Sequence, residues 1–265
     1  MASEKDDYRR LLTQLIASSG ARGDSALREY LASRSNLPGP RGNLELLEAF
    51  ATTVGEASSE GQDPLWALAL ELRESTDEFL AMCGVRGIGA IGEKHPRTFS
   101  NMALSALRES ARNSSWRVRE AVAMALQDMI WSDPRVAERL NEWVRGGDWL
   151  EMRAVAAGVA EPKLLRGTAT ARSALLLHEA IFDRVLDAPV PRKGDFRVLR
   201  QALGYSLSVI IAALPEEGLS YMKALIAKRD ADVLWVCREN LKKNRLRSRF
   251  PGDVKALTMK ATGRP

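Results

Sequence analysis

Tryptophans and arginines are concentrated in one part of the chain, in a pattern that could bind nucleic acid. Four of the six tryptophans fall within thirty-four residues, and arginines are interleaved with them. Aromatic rings stack on bases or sugars and guanidinium groups neutralise phosphates, so these residue types together are typical of a nucleic-acid surface. Trp116 and Trp149 open predicted helices, where a ligand could reach them. Trp131 and Trp143 come late in their helices among apolar residues and are predicted to fill gaps between helices.

The C-terminal part of the chain carries an excess of positive charge. From Lys228 onward there are eleven basic and four acidic residues, so this part has a net charge of +7 and residues 1–227 have −2. Lys242, Lys243 and Arg245 belong to the densest part of this stretch. Such residues could track a phosphate backbone, or they could form a solvated helix end whose cations complement the helix dipole. Both interpretations stay open.

Motifs for enzymatic or metal chemistry have little support. Gly87, Gly89 and Gly92 satisfy the GxGxxG pattern of dinucleotide-binding loops, but the preceding residues EFLAMCGVR are not a β-branched strand. Close packing between helices is therefore the favoured role of these glycines. The two histidines, His95 and His178, have no metal-ligand spacing around them, and His178 shares a face with apolar residues. The sequence predicts a core histidine at 178, no metal site and no cofactor.

Cellular location is predicted from equally simple features. Cys83 and Cys237 fit no disulfide framework or zinc spacing, so reduced thiols are expected. No apolar signal-peptide core follows the charged residues 1–10, and the longest uncharged apolar segment, 202–214, is shorter than the roughly 18 residues that a membrane span requires. We expect a cytoplasmic protein without a membrane partner.

The elements that carry these residues are predicted to be helices throughout. Apolar residues recur at spacings of three and four, as in the stripe of Val118, Val122, Ala125 and Met129. Asp63-Pro64 has the capping carboxylate and following proline that begin a helix. Stretches rich in proline and glycine at 35–43, 161–168 and 187–195 break the pattern. The fold class is therefore all-α.

Arginines at equivalent places on alternate helices indicate a repeat. They are Arg86, Arg119, Arg153, Arg200 and Arg238, at intervals of 33, 34, 47 and 38 residues. SSWRVREAVAMALQDM is the strongest match, and the pattern resembles HEAT repeats, which implies an α-solenoid of stacked helical hairpins. We expect the solenoid to cover 1–246, with divergent helical pairs at 1–75, the clearest repeats at 80–245 and a basic C-terminal tail at 247–265. In such stacks an arginine often reaches a carboxylate in the next hairpin, which is the role predicted for Arg86, Arg119 and Arg238.

Three segments are similar to the HEAT-like alkylpurine DNA glycosylases. SSWRVRE at 114–120 resembles the family's helix start with a catalytic carboxylate four residues after a tryptophan, which places that role on Glu120 beside Trp116. DWLEMRAVAAG at 148–158 resembles the helix with a phosphate-binding arginine, here Arg153, and FRVLRQALGYSL at 196–207 resembles the helix with a DNA-facing aromatic, here Tyr205. The family has Asp and Trp where this chain has Glu120 and Tyr205. The resemblance implies release of an alkylated purine without metal or cofactor.

Two functions follow as hypotheses. The first is binding of DNA or another nucleic acid on the concave face of the solenoid, with glycosylase activity as its narrower form. Its binding residues would be Trp116, Trp149, Arg153, Arg200, Tyr205, Lys242, Lys243 and Arg245, with Glu120 as the catalytic residue. The alternative is a non-enzymatic HEAT-repeat scaffold that holds a protein or peptide in its concave groove. Charge discriminates between them, because converging basic residues favour DNA and an apolar or acidic groove favours a protein.

Overall fold

The computed structural model describes residues 4–22, 24–61 and 63–263, and every regular element within these ranges is a helix. The chain divides after Ser132 into two units, residues 1–132 and 133–265. The first unit contains α1 (Glu4–Arg22), α2 (Ser25–Ser33), α3 (Leu44–Ala57), α4 (Pro64–Arg73), α5 (Glu78–Lys94), α6 (Pro96–Ser110) and α7 (Trp116–Ser132). The all-α prediction is confirmed.

The second unit is built in the same manner. Its helices are α8 (Arg135–Arg139), α9 (Asn141–Gly146), α10 (Trp149–Val159), α11 (Thr168–Asp187), α12 (Phe196–Ala213), α13 (Pro215–Ala227), α14 (Ala231–Leu241), α15 (Asn244–Arg247) and α16 (Pro251–Thr262). A short 3-10 helix, Leu164–Arg166, precedes α11. The three breaks predicted from proline and glycine fall between α2 and α3, between α10 and α11, and between α11 and α12.

Helices of alternate position lie side by side in each unit. In the first unit α1, α3, α5 and α7 pack in sequence, and α4 and α6 pack against α5. In the second unit α10, α12 and α14 form the corresponding row, with α11 and α13 packed against it. Stacked helical hairpins, predicted from the arginine repeat, are thus present within each unit.

Local sequence explains where several of these helices begin. Asp63 accepts a hydrogen bond from the Leu65 amide, and Pro64 occupies the first turn of α4, where no amide donor is needed. Asp148 caps α10 and Asp230 caps α14 in the same way. An aspartate at the start supplies the missing acceptor for the first amides and also a negative charge at the positive end of the helix dipole.

The segment set apart as a basic tail contains a packed helix. Val254, Leu257 and Ala261 of α16 are buried, and α16 contacts α13, α14 and α15. The basic residues of this helix lie on its exposed side. Their number made the three- and four-residue spacing of the apolar residues hard to recognise in the sequence. The domain bounds drawn at 246 and 247 stay a prediction.

Buried groups in the core behave as the sequence suggests. His178 is fully buried, with Nδ1 3.0 Å from the Ala174 carbonyl oxygen and Nε2 2.8 Å from Ser206 Oγ. Burial lowers the pKa of His178 to about 4, so it stays neutral at ordinary pH. Cys83 and Cys237 are both buried and not disulfide-bonded. No helix in the described part of the chain is long and apolar enough to cross a membrane.

The glycines of the GxGxxG pattern lie in the middle of α5 and allow neighbouring helices to approach closely. A Cβ atom added to Gly89 would lie 2.6 Å from the Ala125 Cβ of α7, and one added to Gly92 would lie 2.5 Å from the Ala103 Cβ of α6. Atoms at those distances overlap, so only glycine fits. The packing role is confirmed, since these residues form no strand-to-helix loop.

Arginine ion pairs connect the rows of parallel helices. The Arg86 side chain of α5 is only 3% exposed, and it donates to Glu48 Oε2 of α3 at 2.6 Å and to Asp128 of α7. Arg117 of α7 donates to Glu78 of α5 at 2.9 Å. In the second unit Arg200 of α12 donates to Asp232 of α14 at 2.6 Å. Arg86 therefore has the ladder role predicted for it, and Arg200 has an equivalent one.

The other two predicted ladder arginines make different contacts. Arg119 donates to the carbonyl oxygens of Asn113 and Ser114, in the loop before its own helix. Arg238 lies near the Ala261 carbonyl oxygen at 3.4 Å. Arginine has five N–H donors, so a guanidinium that contacts carbonyl groups can also contact a carboxylate. The ladder role of Arg119 and Arg238 stays a prediction.

We predict that Gly89→Ala destabilises the first unit. Forcing Ala125 away costs about 1–3 kcal/mol of overpacking, which outweighs the gain of about 1 kcal/mol in helix propensity. Gly87→Ala is the matched control, because its added Cβ would lie 3.3 Å from the Ala69 Cβ and needs only a small adjustment. Urea unfolding of both variants measures the difference. Equal stability of the two variants would contradict this account of α5 packing.

A second prediction concerns the ladder. Arg86→Met removes a buried guanidinium from between two carboxylates and should lower the free energy of unfolding by about 3 kcal/mol. Arg200→Met is the control, because Arg200 is 32% exposed and its partner Asp232 keeps Arg192. Its loss should be about 1 kcal/mol. Similar losses in both variants would show that burial does not set the strength of the ladder.

Candidate binding surfaces

The residues predicted to bind or react lie in both units. Trp116 and Glu120 belong to α7 of the first unit. Those of the second unit are Trp149 and Arg153 in α10, Arg200 and Tyr205 in α12, Lys242 after α14, Lys243 before α15, and Arg245 within α15.

In the first unit, Trp116 and Glu120 lie on one side of α7. Ser115 Oγ accepts hydrogen bonds from the amides of Arg117 and Val118, which fixes the start of the helix at Trp116. The Trp116 side chain is 54% exposed, and the Arg117 guanidinium lies 4.6 Å from its ring centroid. Glu120 follows one turn later and is half-buried. The catalytic role of Glu120 stays a prediction.

The two tryptophans assigned to packing have different environments. Trp143 is buried in α9, as predicted. Trp131 is 51% exposed, so its assignment to the interior is wrong. The interior stripe of α7 passes through Met129 and Ile130, and Trp131 extends from the adjoining side near the end of the helix.

In the second unit, four of the predicted residues lie on helices that pack together, α10 and α12. The Trp149 ring meets the Phe196 ring edge-on, with centroids 5.3 Å apart. Arg153 and Tyr205 are each half-buried. Arg200 is engaged twice, since it pairs with Asp232 and its guanidinium lies 4.5 Å from the Trp235 ring centroid. A phosphate would have to compete with Asp232 for Arg200.

Sequence reasoning missed a deeply buried cation of this unit, Arg192, whose side chain is 1% exposed. The Arg192 side chain donates to Asp230 at 2.9 Å and to Asp232 at 2.8 Å, and its Nε donates to the Val185 carbonyl oxygen. Although burial raises it, hydrogen bonds from Arg192 hold the pKa of Asp230 below its usual value. Arg192 comes from the 187–195 linker, where a surface arginine is the ordinary expectation. The two aspartates of the DAD sequence at 230–232 were the only sequence signal that a buried arginine would find carboxylate partners.

Carboxylates predominate where α3, α5 and α7 lie side by side. Glu48 and Asp128 flank the buried Arg86, and Glu93 of α5 is half-buried near them. Burial, then repulsion from Asp128 and Glu48, raises the pKa of Glu93 despite the attraction of Arg86. Two carboxylates thus contact the guanidinium, and Glu93 lies close enough to interact with all three groups electrostatically. We call Glu48, Glu93 and Asp128 the acidic face.

Charge is divided unequally between the units. Residues 1–132 contain 15 lysines and arginines against 18 aspartates and glutamates, a net charge of −3. Residues 133–265 contain 24 against 16, a net charge of +8. Much of the surplus is exposed after α14, at Lys242, Arg245, Arg247 and Arg249. Lys243 is half-buried.

Neither metal chemistry nor a catalytic histidine gains support from the geometry. Among residues 4–22, 24–61 and 63–263, no group of three or more His, Cys, Asp or Glu side chains is placed to hold a metal ion. His95 Nε2 lies 3.0 Å from the Ser58 carbonyl oxygen, which gives it a structural role at the end of α5.

Comparisons with known proteins give distant matches only. No protein-family model matches the chain, and no curated protein matches it. An engineered protein of known structure covers 95% of this chain and 97% of its own, with 14% identity and a TM-score of 0.39. A designed armadillo repeat protein covers 88% and 98%, with 14% identity and a TM-score of 0.30. Another, solved with the peptide (KR)4, covers 80% and 97%, with 13% identity and a TM-score of 0.31. The helical-repeat description of this chain rests on its own helix packing.

Proposed function

We propose that this chain is a non-enzymatic helical-repeat module that binds another protein, and that the acidic face of the first unit receives a basic segment of that partner. The observation that carries the proposal is the charge on the row α3, α5 and α7. The repeated arginine there, Arg86, is buried and pairs with two carboxylates that stay partly exposed, so the row presents negative charge to a ligand.

Nucleic acid fits this face poorly. A phosphate backbone would meet Glu48, Glu93 and Asp128, and like charges brought together cost free energy at any salt concentration below strong screening. A lysine or arginine side chain would instead be attracted by these carboxylates. Burial is the main cause of the raised pKa of Glu93, and repulsion from Asp128 and Glu48 adds to it; a nearby cation would relieve that repulsion.

DNA binding with glycosylase activity is the second candidate. Its specific support is the pairing of a solvent-exposed Trp116 with Glu120 one turn later on α7. A ring and a carboxylate so placed could stabilise a cationic purine as its glycosidic bond stretches. The exposed cations Lys242 and Arg245 of the second unit would add affinity for phosphates.

The third prediction tests the protein-binding proposal with a fluorescent octapeptide of alternating lysine and arginine. We expect the intact chain to bind it, and Glu93→Lys to weaken binding by about fivefold at low salt, since one nearby charge is reversed. Glu60→Lys is the matched control, because Glu60 is exposed in the loop before α4 and makes the same change in net charge. Fluorescence anisotropy measures both.

Two results would count against this proposal. Equal weakening by Glu93→Lys and Glu60→Lys would show that the peptide responds to the net charge of the chain and not to the acidic face. Absence of peptide binding, together with tight binding of duplex DNA that Trp116→Ala or Arg153→Ala weakens, would return the chain to nucleic acid.

The fourth prediction tests the second candidate. If Glu120 is catalytic, the chain should release alkylated purine from methylated DNA without added metal, and Glu120→Gln should abolish release while keeping DNA affinity. The readout is free base separated by chromatography. Equal release by both proteins would reject the role of Glu120, and no release by either would reject glycosylase activity.

A further inference from the structure

A groove lies between the last helices of the second unit and is separate from the acidic face. It has a volume of about 440 Å³ and is lined by residues of α14, α15, α16 and their ends. Its floor includes Leu241, Val254 and Met259. Met259 is 40% exposed, which is high for a large apolar side chain. A flexible methionine in an open apolar groove is a common feature of surfaces that bind protein segments.

The rim of the groove is positively charged. Arg238, Lys242, Arg247 and Lys255 line it, and no carboxylate does so among the described residues. Lys242 pairs with Glu239 at 2.6 Å, while Arg247 and Lys255 are exposed and have room to turn toward a ligand. An apolar floor inside a cationic rim is complementary to a segment that is apolar on one side and acidic on its flanks.

The floor offers little to a nucleic acid. Thr258 and Thr262 also line the groove, but their hydroxyl groups donate to the carbonyl oxygens of Val254 and Thr258 in the same helix. No aromatic ring of the described residues lines the groove, so none of them offers a stacking partner to a base there. Only the rim could contact phosphates, and the apolar floor would stay unused.

The length of the groove along α16 suits a short helical ligand. Lys255, Thr258, Met259 and Thr262 recur at three- and four-residue intervals, so they form one stripe along the helix. Seven residues of helix span about 10 Å, which matches about two turns of a second helix laid alongside. An amphipathic helix seated by residues at positions i, i+3, i+4 and i+7 is a recurring way of filling such a groove.

We infer that the groove between α14, α15 and α16 binds an acidic amphipathic helix of a partner protein. This goes beyond the proposed function, because it assigns a second surface on the other unit to a segment of opposite charge. The ligand's apolar side chains contact Met259 and Leu241, and its carboxylates pair with Lys255 and Arg247.

The test uses a fluorescein-labelled peptide of about three helical turns, with leucines at i, i+3, i+4 and i+7 and glutamates on both flanks. Anisotropy of the full chain should show binding at an ionic strength of about 0.15 M. Lys255→Glu should weaken binding by about fivefold, and Met259→Glu by about tenfold or more. Lys260→Glu is the matched control: it makes the same charge change on α16 at an exposed residue that does not line the groove.

Several outcomes would overturn the inference. They are absence of binding, equal effects of Lys255→Glu and Lys260→Glu, and equal binding of a scrambled peptide with the same composition. Displacement of the peptide by duplex DNA in the unaltered chain, undone by Lys255→Glu but not by Lys260→Glu, would assign the groove to nucleic acid instead. Self-association of the chain lost in Met259→Glu would assign it to a second copy. The basic octapeptide and Glu93→Lys report on the other unit, so either proposal can fail alone.

Discussion

The buried guanidinium of Arg86 is the constraint on which the first unit depends. It stands between Glu48 of α3 and Asp128 of α7, so one side chain of α5 connects three parallel helices. Removing such a cation from water costs free energy, and the charge-assisted hydrogen bonds to Glu48 and Asp128 offset that cost. Arg86 also determines the charge of the surface, because its guanidinium is buried while the carboxylates of Glu48 and Asp128 stay partly exposed. Structural cohesion and an acidic face therefore have a common origin.

Close approach of the helices makes this bridge geometrically possible. Gly89 lets α7 lie directly against α5, and Gly92 does the same for α6. A larger residue at Gly89 would separate the backbones of α5 and α7, and the hydrogen bond from Arg86 to Asp128 would be stretched. Gly89, one of the glycines that match a nucleotide-binding pattern in the sequence, thus allows the ion pair to form. The small size of these glycines is used between helices rather than around a phosphate.

The fold could be predicted from the sequence because its signals are local. Apolar spacing of three and four, capping aspartates such as Asp63, and breaks at proline and glycine are all fixed within a few residues. The arginine repeat located the Arg86 ladder for the same reason. Ion-pair partners were harder, since Asp128 is 42 residues from Arg86 and Asp232 is 32 residues from Arg200. Trp131 was misjudged because a shift of one residue along a helix turns a side chain by about 100°, which is enough to move it from the interior to the surface.

Candidate surfaces depend on what remains after the arginines are paired, which composition does not reveal. The number of arginines near tryptophans in the sequence favours nucleic-acid binding. Several arginines are nevertheless paired with carboxylates: Arg117 with Glu78, Arg200 with Asp232, and Arg192 with Asp230 and Asp232. A paired guanidinium must lose its carboxylate before it can bind a phosphate, so it adds less affinity than an unpaired one. The exposed cations beside an apolar floor, Arg247 and Lys255, do not have that cost. In the second unit, cations left exposed beside apolar surface therefore distinguish the groove better than the total of basic residues does.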